Sequence, residues 1–448
     1  MHRTPPNPAS SARLLRAPTR IFWVAVAVRI LYMTLGHTFH VRATQDHFGF
    51  GWEAGRIARA LVTGYGYSDP FAGHSGATSW VPPVYPLLLA GIFKVFGIYT
   101  AASAWVALAV SCVFSAAIVP AVYEIAIRCF GTARRGRSIA TWSSWIWALH
   151  PAAMQYAVRW LWDMSITACI FTWIVVLALR ARRIGEQSES GKSSQTVSLW
   201  VAFGLLWGVL ALSNATLLLF LPVCGIWMLV GAAQEHRLLP TVPKAIFAGL
   251  LFLACIAPWM ARNWSAFHAI IPMRGNFGAE LYSSLLEGNN GFSWGPTVPV
   301  YDHAAEYLRY KTLGERAYVL DQGAQANAYI RTHRVLFFSL ALKRVYFFWW
   351  GIPHTSNPIV QEAFRIFNYA FASLAGLMGL ALALKRRVPA AGLFLCAFLL
   401  LPLTYYFVIA EARFRHPLEP LITILGVFLF QSAARGAKRE ADINEPAQ

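Results

Sequence analysis

The sequence predicts an all-α integral membrane protein: a bundle of about ten membrane-crossing helices with juxtamembrane helices and loops on its outer face. Three observations predict it. Hydrophobic residues make up 57% of the 448, and charged residues only 13%, roughly half the share in a soluble domain. The deficit is uneven, because apolar runs near membrane length alternate with short charged clusters, and the short alternating segments of a transmembrane β-barrel are missing. Finally, the formal charge of +18 comes from 38 basic against 20 acidic residues, and many of the basic ones sit in those clusters. Positive charge collects on cytoplasmic loops of membrane proteins. The excess therefore points to topology and to anionic lipid, not to nucleic acid.

Taken in order, Arg3, Arg13, Arg16 and Arg20 precede an apolar run over Ile21–Phe39. That run is too long for a secretory signal and lacks a small-residue cleavage site, so it reads as a retained first helix. Further spans are expected at 102–127, 139–153, 163–179, 199–213, 215–230, 246–259, 363–384, 390–409 and 417–431. The clusters at 128–137, 180–192, 236–244, 385–387 and 435–439 fix their direction and leave both termini cytoplasmic. Pro82–Gly97 is short and broken by proline, and Val335–Trp350 contains Lys343 and Arg344 and ends in Phe-Phe-Trp-Trp. Both read as interfacial helices. The chain then divides into an N-terminal module, 1–260, with a first outer loop at 40–100; a large outer loop with its interfacial helix, 261–360; and C-terminal spans with a cytoplasmic tail, 361–448. The six cysteines lie in or beside apolar runs without a CxxC pair, as expected of small core residues.

Under this topology most of the acidic residues face outward, several of them at the membrane boundary, where a carboxylate must be solvated, paired or functional. Within the first outer loop, Trp52–Thr63 has helical spacing. Ile57, Ala60 and Leu61 form its apolar stripe, Glu53 and Arg56 share another face, and Gly64 is a natural stop.

Four stretches carry a resemblance. A carboxylate precedes Ile57-Ala58 and Gly64-Tyr65-Gly66-Tyr67-Ser68, followed by Pro82-Pro83-Val84-Tyr85-Pro86. Phe130–Arg135 reads as a cytoplasmic FG-x-x-x-R turn, Pro258–Trp264 as PWxxRN, and Glu411–Pro420 as RYRxPxxP before a late helix. In this order the chain resembles membrane glycosyltransferases of the GT-C fold, the group of protein O-mannosyltransferases and lipid A aminoarabinose transferases. The resemblance implies transfer of a sugar from a polyprenyl-phosphate carrier to a glycan, lipid or protein acceptor, in an enzyme embedded in membrane lipid, here the bacterial inner membrane. An acceptor hydroxyl must lose its proton, which calls for a carboxylate base. The departing phosphate calls for arginine, lysine or a divalent metal ion, so a divalent metal ion is a candidate cofactor and no other is indicated.

Where the family carries an acidic pair, this sequence has Phe50 and Gly51. The nearest carboxylates are Glu53, the first choice for the base, and Asp46, the second. Asp163 is the expected second acidic residue, with a plain helix cap as the competing account. Arg413, Arg415, Arg262 and Arg274 are the candidate phosphate ligands, with snorkelling as the alternative. Arg29, inside the first span, must face the bundle or snorkel. His150 and His416 are candidate metal ligands or structural histidines. The rival function is a transporter or lipid flippase, against which stands the lack of an internal repeat.

Overall fold

The computed structural model describes residues 8–41, 48–186, 197–286, 304–353 and 357–444. They form helices joined by turns, with no strand among the described residues and one isolated bridge between Ser68 and Ala77. In order these are α1 (Pro8–Leu35), α2 (Glu53–Val62), α3 (Val84–Phe96), α4 (Ala101–Phe130), α5 (Arg134–Ala148), α6 (Pro151–Arg159), α7 (Met164–Ala181), α8 (Val197–Ala211), α9 (Phe220–Gln234) and α10 (Leu238–Phe267). Then follow α11 (Phe277–Ser283), α12 (Ala304–Leu313), α13 (Glu315–Thr332), α14 (Arg334–Trp350), α15 (Ile359–Lys385), α16 (Ala391–Leu400), α17 (Leu403–Phe407) and α18 (Glu419–Asn444). Among the described residues six helical stretches are long and apolar enough to cross a membrane, beginning at Ala17, Ala101, Met164, Ala215, Leu238 and Ile359. Shorter apolar helices lie at Val84–Phe96, Val197–Ala211 and Ala391–Phe407. The protein is an integral membrane protein.

The stretches expected to be interfacial, 82–97 and 335–350, are helical, as α3 and α14. Two expected spans are broken. The run 139–153 ends at Leu149 and restarts as α6 at Pro151, because proline has no N–H to donate and clashes with the preceding turn. The run 390–409 divides into α16 and α17 at Leu401-Pro402 for the same reason.

The centre of the bundle is α4, 30 residues long, which packs against α1, α5, α6 and α7. Arg29 of α1 turns inward and is fully buried. It donates to the α5 carbonyls of Ala148 (2.7 Å) and Trp147 (3.3 Å) and to Ser115 Oγ of α4 (3.2 Å). A lipid-facing arginine is thereby avoided, and the C-terminal carbonyls of α5 gain a cation. At the opposite end of α4, Glu124 accepts from Arg128 (2.8 Å) and Arg180 (2.7 and 2.6 Å), which ties α4 to α7. Helices α8 and α10 pack backbone to backbone: a Cβ on Gly204 would lie 2.4 Å from the Ala248 carbonyl oxygen. The Gly204–Gly208 spacing is the small-xxx-small pattern of membrane helix pairs. Ile246, Phe247, Leu250 and Leu253 of α10 stay exposed, as a lipid-facing surface requires.

Candidate active site

Glu53, Asp163, Arg274 and Arg413 come from four separate segments and lie within electrostatic reach of one another's surroundings: Arg274, Glu53, Arg413 and Glu411 act on Glu280, and Arg413 and Arg274 act on Asp163, which defines the cluster. The cluster is assembled on a turn. Gly51 adopts φ +85°, and a Cβ there would lie 2.5 Å from the Leu161 carbonyl oxygen. The backbone thus presses directly on the segment that joins α6 to α7. Trp52 follows at φ +51°, and Glu53 opens α2. The Trp52 ring stands 6.1 Å from that of Trp162, and Trp160 stacks 6.0 Å beyond Trp162.

Asp163 comes next in the chain, before α7. Its carboxylate accepts from Thr167 Oγ1 (3.1 Å), and it makes no side-chain cap to the backbone. Burial pushes its carboxyl above the ordinary range, and the Thr167 hydrogen bond and Arg413 pull it partly back.

Arg413 lies in the 3-10 turn Ala412–Leu418. Its guanidinium sits 4.2 Å over the Trp162 ring and 5.0 Å over Phe414, and it pairs with Glu411. Arg274 follows α10. It donates from Nε to the Trp80 carbonyl (2.9 Å) and from Nη2 to Glu280 Oε1 (2.8 Å), which also accepts from Asn276 Nδ2 (2.8 Å). Burial raises the Glu280 carboxyl, Arg274 and Arg413 lower it, and Glu53 and Glu411 raise it. Glu53 is half-buried, and among the described residues it accepts no hydrogen bond and forms no ion pair.

The other described candidates lie elsewhere. Asp46 falls outside the described residues. Arg415, expected beside a phosphate, turns into the bundle. It is buried, pairs with Glu419 (2.6 Å), donates to the Tyr369 carbonyl (3.1 Å) and to Ser373, and lies 3.4 Å over the Tyr369 ring. The reason is geometric. In a turn of three residues per rotation, positions 413 and 415 point to different sides. Arg262 is likewise engaged within the protein, donating to the carbonyls of Thr78 (2.6 Å) and Tyr67 and lying 5.2 Å over both Tyr67 and Trp259. It braces the segment between α2 and α3.

His150 accepts from Ala153 N (3.3 Å) as the cap of α6, and His416 is buried against Trp147 and Tyr156. Among the described residues no three His, Cys, Asp or Glu side chains form a group able to hold a metal ion.

A buried carboxylate fixes the position of Arg274. Glu315, at the start of α13, accepts from Ser79 N (2.6 Å), Ser79 Oγ (2.8 Å), Tyr310 OH (2.9 Å) and the Thr78 hydroxyl. On the other side of this segment, Gly275 N donates to the Ser79 carbonyl (3.0 Å) and Arg274 to that of Trp80. Residues 78–80 are therefore held between α13 and the Arg274 loop. Sequence reasoning assigned no role to Glu280, Glu411, Glu315 or Trp162. Of these only Glu411 lay in a recognisable motif.

The described bundle superposes on the apo oligosaccharyltransferase of Archaeoglobus fulgidus with a TM-score of 0.50 at 12% identity, over 96% of this chain and 52% of that one. The chain has the GT-C fold. It spans about half the length of the oligosaccharyltransferase chains it matches. Two looser GT-C likenesses are the A. fulgidus oligosaccharyltransferase AglB with an inhibitory peptide and a dolichol-phosphate (TM-score 0.48, 11% identity, 96% of this chain and 52% of that one) and apo ArnT from Cupriavidus metallidurans (0.36, 15%, 92% and 78%). No protein-family model and no curated protein matches the sequence.

Proposed function

We propose that this protein is a membrane glycosyltransferase that moves a sugar from a polyprenyl-phosphate carrier to a hydroxyl acceptor on a glycan, lipid or protein at the outer face of the bacterial inner membrane. What supports the proposal is that Glu53, Arg274 and Arg413, from three distant segments, all act electrostatically on Glu280, that Arg274 and Arg413 also act on Asp163, and that Arg413 stacks on Trp162, the neighbour of Asp163. A surface helix pair or simple snorkelling would not require that convergence. The shared fold with an oligosaccharyltransferase supports the same class of reaction.

In the proposed step the acceptor oxygen attacks the anomeric carbon. Glu53 takes the proton, the bond from that carbon to the phosphate oxygen breaks, and the carrier phosphate leaves with its electron pair. Arg413 and Arg274 meet the charge on that phosphate. Each already faces a carboxylate, Glu411 or Glu280, which fixes the guanidinium in place.

The reading is tested by mass spectrometry of lipid-linked sugars and glycans in a deletion strain, with and without the restored gene. One carrier-linked sugar should accumulate and one glycoconjugate should lose a sugar. Unaltered profiles would overturn the proposal. Its topology is tested separately: a reporter after Ser190 should read cytoplasmic and one near Tyr301 external. The same side for both would refute the orientation.

A further inference from the structure

Beside the charged cluster lies a second feature that the transfer step above does not use. Trp52, Trp162 and Trp160 are each half-buried and form a row with centroid spacings of 6.1 and 6.0 Å and interplanar angles of 30° and 23°. Its chain neighbours are Glu53 and Asp163, and Arg413 covers part of Trp162. Aromatic rings at a membrane interface ordinarily serve as anchors in the head-group layer. Two observations argue against that account here. The row is bordered by carboxylates and a guanidinium that belong to the candidate site. Trp52 is also held in a left-handed backbone conformation, directly after Gly51, whose own contact with Leu161 leaves no room for a side chain. Such strain in a bulky residue persists only where the surroundings impose it, and it gathers at functional sites. An anchoring tryptophan needs no such placement.

We infer that Trp52 and Trp162 form a sugar-binding platform, on which the apolar C–H face of a pyranose ring lies against indole while its hydroxyls reach Glu53, Asp163 and Arg413. The inference rests on the transferase reading and names the ligand class of the same site. An indole face is electron-rich and apolar, and suits the weakly positive C–H bonds on one face of a sugar ring. Apolar and aromatic walls with a few placed polar groups are the usual construction of a small-ligand site. The platform also gives the departure at Phe50-Gly51 a structural sense. Where relatives would carry acidic residues, this chain has Phe50 packed against Phe93 and Tyr99, and a glycine that lets Trp52 reach the α6–α7 turn.

The test uses full-length protein in phosphatidylethanolamine–phosphatidylglycerol nanodiscs. Binding is measured for sugar-free decaprenyl phosphate, for decaprenyl phosphate carrying mannose, glucose, galactose, N-acetylglucosamine or arabinose, and for the methyl glycosides of these sugars. Trp52→Leu should weaken binding of at least one sugar-bearing probe about tenfold, the scale of one well-packed contact. Sugar-free carrier should bind as before, and Trp52→Phe should keep most of the affinity. Loss confined to the carrier-linked probes assigns the platform to the donor sugar, and loss on the methyl glycosides assigns it to an acceptor sugar. Equal binding of every sugar probe by the parent and Trp52→Leu overturns the inference. So does an equal loss for the sugar-free carrier, which marks a lipid anchor. A parent that binds no prenyl phosphate, yet binds a glycoside in a Trp52-dependent way, would sink the carrier reading and leave the sugar platform standing.

Discussion

Replacing Glu315 should loosen the candidate site from a distance. Its carboxylate receives four donors: Ser79 N, Ser79 Oγ, Tyr310 OH and the Thr78 hydroxyl. In Glu315→Ala all four lose their acceptor in a buried place. The three hydroxyls can rotate toward other partners, but the Ser79 N–H cannot. An orphaned buried donor costs about 1–3 kcal/mol, and weakened hydroxyl bonds and a small cavity add to it, so a total of roughly 3–5 kcal/mol is expected. Glu315→Gln keeps an oxygen for Ser79 and turns its NH₂ toward two hydroxyls that can accept, so about 1–2 kcal/mol is expected. Thermal unfolding in nanodiscs should rank parent, Gln and Ala in that order. Arg274 is tied to residues 78–80, so binding of carrier phosphate should fall in the same order.

A pH arm adds an independent check. Burial raises the Glu315 carboxyl above its unfolded value, more than its hydrogen bonds lower it. The folded state then holds a proton that the unfolded state has released. This contribution to stability is full below the unfolded pKa and is lost as pH rises through the folded value. Glu315→Gln should flatten that part of the pH–stability curve. An alanine variant that melts with the parent, at unchanged slope, would refute the reasoning.

Glu53→Gln keeps size and packing but has no useful basicity. Turnover should fall roughly 10²–10⁴-fold, with expression and carrier binding near those of the parent. Asp46→Asn should do less, and parental turnover in both variants would remove the first outer loop from catalysis. Arg413→Ala should weaken carrier-phosphate binding with the fold intact, and Arg413→Lys should recover only part, because the bidentate fork is lost. Arg415→Ala should instead destabilise the protein by about 3–5 kcal/mol, since it leaves the buried Glu419 with only the long contact to His150 Nε2 at 3.8 Å. Equal loss of stability in both arginine variants would contradict the division between them.

The sequence by itself determined the membrane class and most helix positions, including the helices at 82–97 and 335–350. These follow from apolar length and local period, which a chain carries residue by residue. It also singled out Glu53, Asp163, Arg274 and Arg413, through motif and position. Tertiary structure decided how they are used. Arg413 and Arg415 look alike in sequence, yet one faces the cluster and the other is buried against Glu419 and Tyr369, because a 3-10 turn sends them to different sides. Arg262 and Arg274 likewise divide between brace and site according to which carbonyls lie nearby. Glu315 gave no local signal, since what matters about it is contact with Thr78 and Ser79, far away along the chain, and Glu280, hydrogen-bonded locally, joins the cluster only through the charges of Glu53, Arg413 and Glu411. The Trp52–Trp162 pair depends on Gly51 fitting against the Leu161 carbonyl. That is a backbone approach between segments 110 residues apart in number, about which local hydropathy carries no information.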